Sequence, residues 1–120
     1  MRKAIRRFLI CASTVLSMAT AALAEVPEQP NWKDVEALET YRTALYRNYR
    51  ACDGILEDQL PSASLARACT QFYLLLKLSF LSDVSLERYQ RMGAEARAKT
   101  NRRGYDAYFA WKKARIAGVI

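Results

Sequence analysis

The sequence predicts an all-α protein, a small bundle of three to four helices containing a disulfide-stapled helical hairpin and preceded by a signal peptide. Three observations predict it. Apolar residues recur at three- and four-residue spacing along most of the chain, with no stretch of strand-like alternation. Two cysteines, Cys52 and Cys69, fall at the end of one periodic segment and near the start of the next. The first 24 residues have the layout of a secretory leader.

In that leader, Arg2, Lys3, Arg6 and Arg7 precede the apolar run Phe8–Leu16, and the small-residue stretch ends in Ala22-Leu23-Ala24, before Glu25. A positive flank, a short apolar core and an A-x-A site predict cleavage after Ala24 and a periplasmic or secreted product. The run is short for a membrane span of about 20 residues, and Ser13, Thr14, Ser17 and Thr20 interrupt it. Cys11 follows Ile10 inside the apolar core, which argues against a lipoprotein. Residues 25–120 are expected to form a single domain with no internal repeat, small enough for a disulfide to matter.

The leader also accounts for most of the charge. The chain has 19 Lys and Arg against 12 Asp and Glu, and four of the bases but no acid lie in residues 1–24, so residues 25–120 keep a net charge of +3. Its distribution is uneven. Residues 25–58 hold eight acids against four bases, and residues 88–115 hold nine bases against two acids. Halves of opposite sign can hold each other together or meet a charged partner.

The first helix is expected after Pro30, with Asn31 as cap, Asp34 in the first turn and a stripe of Val35, Leu38, Tyr41, Leu45, Tyr49 and Cys52. Gly54 is the expected terminator and Gly54–Pro61 the linker. Ser62 or Ser64 can cap the second helix, whose stripe is Leu65, Cys69, Phe72, Tyr73, Leu76 and Phe80. Its later part, Leu74–Leu81, is apolar on nearly every side except Lys77, as in a central helix. A third helix is expected from Ser82, Asp83 or Ser85, with Leu86, Tyr89, Gly93 and Ala96 on its stripe. "TNRRG", from Thr100 to Gly104, is expected to break it before a fourth helix, Tyr105 to about Ala117.

The cysteines decide which chemistries remain. Residues 25–120 have two, and the chain has no histidine. A zinc site needs about four thiolate or imidazole ligands, a redox pair favours C-x-x-C, and a catalytic thiol needs a base. The expectation is a structural Cys52–Cys69 disulfide, closing a loop that contributes about 3 kcal/mol. No Gly-rich phosphate loop, G-x-S-x-G or S-x-x-K motif is present, and Glu57-Asp58 is the one tight acid pair in an expected loop. The reading is therefore a non-enzyme with no cofactor and no metal.

Two stretches are candidates for binding. Arg42 falls within the apolar stripe of the first helix, where it can receive a partner's carboxylate or pair with Glu39, Asp83 or Glu87. In "NRRGYDAYFAWKKARI", Tyr105, Tyr108, Phe109 and Ile116 form one stripe, with Lys112 inside it. Ala107, Ala110, Ala114 and Ala117 form another beside Trp111. The expected partner-binding set is Arg42, Tyr108, Trp111, Lys112, Lys113 and Arg115. The C-terminal "IAGVI" is either a frayed tail or an apolar end of the kind strand-adding grooves accept. In plan alone the chain resembles small exported helical proteins such as inhibitors, immunity proteins and envelope chaperones, with no family motif matched. The resulting expectation is a periplasmic, non-catalytic binding or inhibitor module. The alternative is an envelope-associated protein that holds an anionic membrane or cell-wall polymer through its basic C-terminal helix. Export makes nucleic acid a poor candidate partner.

Overall fold

A computed structural model describes residues 26–58 and 62–118. The expected leader, the end of the expected linker (residues 59–61) and the last two residues of "IAGVI" lie outside the described residues. Within them the chain is all-helical: α1 (Val35–Asp58), α2 (Ala63–Leu78), α3 (Leu86–Arg91) and α4 (Ala94–Ile116).

Local chemistry sets most helix ends. Asp34 caps α1, its carboxylate accepting from Ala37 N at 3.0 Å while its carbonyl accepts from Leu38 N. Asn31, the expected cap, instead accepts from Lys33 N and shapes the turn before the helix. Ser62 accepts from Leu65 N at the start of α2, and Ser85 accepts from Arg88 N at the start of α3. Gly54 does not end α1. A helix stop at glycine uses a left-handed backbone, and the one positive-φ glycine among the described residues is Gly118 (φ 74), just beyond α4. A single interior glycine costs about 1 kcal/mol, so α1 runs on to Asp58. The Glu57-Asp58 pair therefore lies in the last turn of a helix and not in a loop.

The second departure is the expected break at Thr100–Gly104. The chain breaks earlier, at Met92–Gly93, where both residues are extended, and "TNRRG" lies inside the 23-residue α4. Arg97 holds that junction. Its guanidinium donates to the carbonyls of Tyr89 and Gln90 at the end of α3 and lies over the Tyr89 ring at 5.4 Å. Gly104 is buried at a helix contact: a Cβ there would lie 2.9 Å from Lys77 Cβ and 3.0 Å from the Lys77 carbonyl oxygen. Its missing side chain serves close packing of α4 on α2.

The Cys52–Cys69 disulfide is formed, with Cα atoms 5.7 Å apart, and joins the late part of α1 to the early part of α2. At the other end Arg42 of α1 reaches Ser79, the residue capping α2, so the two helices run antiparallel as a stapled hairpin. Helix α4 lies along α2, with Tyr73 against Tyr108 and Lys77 against Gly104. The main core holds Leu38, Tyr41, Leu45, Phe72, Leu76 and both cysteines, closed by Tyr108 and Trp111. A smaller cluster of Leu78, Leu81 and Val84, covered by Leu86, Tyr89 and Met92, seats α3. Val35, expected in the α1 stripe, is 72% exposed, because the first turn extends past the end of the core.

Candidate functional site

Four of the six expected partner-binding residues are used inside the bundle, and two of them, Arg42 and Trp111, meet at Glu39. The Glu39 carboxylate accepts from Arg42 Nη1 at 2.7 Å and from Trp111 Nε1 at 2.9 Å. Arg42 also donates Nε and Nη2 to the Ser79 carbonyl, at 3.2 and 2.8 Å, and stacks on Phe80 with its guanidinium carbon 4.2 Å from the ring centre. A cation on the last carbonyls of α2 also suits the negative end of that helix. Arg115 donates to the Thr43 hydroxyl and lies over the Trp111 ring at 5.3 Å. Burial raises the Glu39 pKa, but the hydrogen bonds from Trp111 and Arg42 and the nearby guanidinia outweigh it and leave the group below its ordinary value. The network ties α1, the end of α2 and α4 together, with Trp111 Nε1 and all three guanidinium nitrogens of Arg42 engaged.

Tyr108 and Trp111 are 5% and 7% exposed. Tyr46 meets both, Tyr73 meets Tyr108 edge-on, and Tyr49 stacks on Tyr73 at 4.7 Å, so an aromatic layer seals the three long helices. Burial, reinforced by the phenols of Tyr49, Tyr46 and Tyr73, pushes the Tyr108 hydroxyl up to about 12. Lys77, which interrupts the apolar run of α2, lies over the Tyr73 ring at 4.4 Å and donates to Asn101 Oδ1; burial lowers its pKa.

The expected stripe of Tyr105, Tyr108, Phe109 and Ile116 is therefore split. Tyr108 turns in with Trp111, and the other three form an outward ridge. Tyr105 and Phe109 stack at 6.0 Å and are each 46% exposed, Ile116 is 77% exposed, and Lys113 Nζ lies 5.6 Å from the Phe109 ring centre. Arg102 is exposed beside them and Lys112 is half-buried. Among the described residues neither these two nor Lys113 has a carboxylate within ion-pair distance. Other bases of the C-terminal half are used: Arg103 grips Asp83 with two nitrogens, at 3.1 and 2.9 Å, and Lys99 pairs with Glu95. Of the expected set, Lys112 and Lys113 remain available to a ligand.

Periodicity over the short segment 105–117 grouped Tyr108 with Tyr105 and Phe109 and left Tyr108 and Trp111 to a partner, because half of α4 was missing from it. Counted from Ala94, Thr100, Gly104, Tyr108 and Trp111 recur at spacings of four, four and three, and all four are buried. The signal was present in the sequence, hidden by reading Gly104 as a break.

Among the described residues no helix is long and apolar enough to cross a membrane, and no group of three His, Cys, Asp or Glu side chains is placed to hold a metal ion. No protein-family model matches the chain, and no curated protein or solved structure is detectably similar to it.

Proposed function

We propose that the chain is an exported, non-catalytic binding module that captures an acidic protein surface through the outward ridge of α4. One observation carries this reading. The helix already buries a full face, yet its opposite side displays a stacked aromatic pair and an isoleucine beside Arg102, Lys112 and Lys113, whose charges are unmatched among the described residues. Aromatic and cationic side chains dominate binding energy at protein interfaces, and exposed large apolar groups beside them are the usual anchors. The leader motif and a disulfide suited to an oxidising compartment support export to the periplasm.

The unmatched cations equally favour a second reading, in which the ridge holds an anionic membrane or cell-wall polymer. One experiment separates them. Affinity capture from an envelope extract with wild type and with Phe109→Ala is expected to recover one acidic protein that withstands high salt and is lost with the variant. Salt-labile binding to phosphatidylglycerol vesicles or peptidoglycan, without a protein partner, assigns the second reading. Retention of every ligand by Phe109→Ala and by Lys112→Glu with Lys113→Glu overturns both.

A further inference from the structure

The five large apolar side chains left exposed among the described residues fall into two groups. Tyr105, Phe109 and Ile116 stand on the basic ridge of α4. Val26 and Val35 stand at the start of the domain, where a groove of ≈ 470 Å³ is lined by Pro27, Pro30, Ala37 and Tyr41 with Glu28, Asp34 and Glu36, Val35 itself lying on the other side of α1. No base lines that groove, and among the described residues none of its three acids forms an ion pair. We propose that these surfaces are complementary between copies: the α4 ridge of one molecule docks in the acidic groove of a second. This inference rests on the reading of the ridge as a binding surface and names an occupant for it.

Within one chain the two cannot meet. Helix α4 contacts α1 through Glu39, Thr43 and Tyr46. Ala37 and Tyr41, which line the groove, lie on the side of α1 turned away from those residues, while Glu36, Thr40 and Ala44 border both the groove and the neighbouring hollow that holds Arg47 and Arg115. The ridge faces outward from α4 as well. Each copy thus presents one unmatched surface of each sign, and apolar groups at both supply area to bury once the charges have oriented the encounter. Ridge residues 102–116 extend about 21 Å along the helix, and the groove follows α1 from Asp34 to Ala44, about 15 Å, so a helix laid along it is matched in scale. Because the two surfaces differ, the contact is heterologous and propagates: each added copy carries a free groove and a free ridge, giving a ring or an open chain.

The contact is tested by sedimentation of the purified protein, with the state of its leader read by mass spectrometry. Average mass is expected to rise with protein concentration at low salt and to fall toward the monomer at high salt, as screening of exposed charges requires. Glu28→Lys with Glu36→Lys blocks the groove, and Lys112→Glu with Lys113→Glu blocks the ridge. Each variant alone is expected to weaken self-association about ten-fold or more. Mixed together they are expected to recover association, since the basic ridge of the first meets the acidic groove of the second and the two reversed surfaces are again of opposite sign. All four substituted positions are exposed or half-buried, and circular dichroism checks that each variant folds. The inference is overturned by a wild-type protein that stays monomeric at low salt across the accessible concentration range, or by variants that associate as wild type does. A monomeric protein whose ridge variant still loses an acidic partner or anionic vesicles removes the second copy and leaves the ridge reading standing. Self-association untouched by the ridge variant, together with unchanged capture of every other ligand, removes both.

Discussion

Tyr108 and Phe109 are neighbours of similar size on one helix, and they end in opposite environments. Tyr108 is 5% exposed between Tyr46, Tyr73 and Trp111, whereas Phe109 is 46% exposed with Tyr105 stacked on it and Lys113 above. Residue type does not separate them. What does is the neighbour across the helix contact: Tyr108 follows Gly104 by one turn, where α2 comes close enough to exclude a Cβ, and Phe109 lies about 100° further round. The inward face is held by the hairpin it packs against. The outward face is free to be used, and substitutions on the two faces are expected to differ in kind.

The largest contrast is between Trp111→Ala and Phe109→Ala. Trp111 fills the core and donates to Glu39 Oε2, so its loss is expected to cost about 3–5 kcal/mol in chemical denaturation and to leave that oxygen without its donor. Phe109→Ala is expected to stay within about 0.5 kcal/mol of wild type. Equal losses from the two would dissolve the distinction between the faces. Loss of the staple comes next. Cys52→Ser, or reduction, is expected to lower stability by about 2–5 kcal/mol, because Cys52 and Cys69 are 17 residues apart and the bridge restricts the unfolded chain. The ridge belongs to α4, which the bridge does not touch, so ligand capture by the reduced protein is expected to fall only in proportion to unfolding.

Gly104→Ala sharpens the comparison at the point that sets it. The added methyl would meet Lys77 Cβ and the Lys77 carbonyl, so α4 must shift from α2, and a loss of about 1–3 kcal/mol is expected although alanine is the better helix former. A thermal melt of the variant at or above the wild-type midpoint would show that the two helices are not in close contact at Gly104.

The same glycine explains how much was legible beforehand. The helical class, the Cys52–Cys69 pairing and the caps at Ser62 and Ser85 rest on local chemistry, and these the sequence displays. Gly54 and Gly104 both resemble stops and neither is one. The first is tolerated in an exposed turn and the second is required by a neighbour 27 residues away, a long-range fact that periodicity does not carry. Reading Gly104 as a stop halved α4 and turned Trp111 outward. Arg42 shows the opposite case, since its pairing with Glu39 is an i,i+3 contact on one helix and could be named in advance. The second acceptor bond of Glu39, to Trp111, spans 72 residues and could not.

Glu39 supplies the smallest expected effect and the one that reports on the inward face without removing bulk. Its carboxyl is held below the ordinary value in the folded chain, by Trp111 and Arg42 against the pull of burial. A depressed folded pKa means the charged form stabilises the fold. That contribution is present above the unfolded value of about 4.3 and is lost as pH falls through the lower folded value. The Glu39 side chain is 38% exposed, so solvent screening limits the ion-pair part. Glu39→Gln keeps an acceptor for Trp111 but removes the charge facing Arg42, and a cost of about 1 kcal/mol at neutral pH is expected. As pH falls through that lower folded value, wild type and variant should converge, because the wild-type carboxyl becomes neutral too. Asp83, also held low by the Arg103 hydrogen bonds, keeps its own acid-side slope in the variant, so stability still falls with acid but less steeply. Stability curves for the two proteins that run parallel from neutral pH into acid would show that Glu39 does not titrate with folding, and that its charge adds nothing to the Arg42 contact.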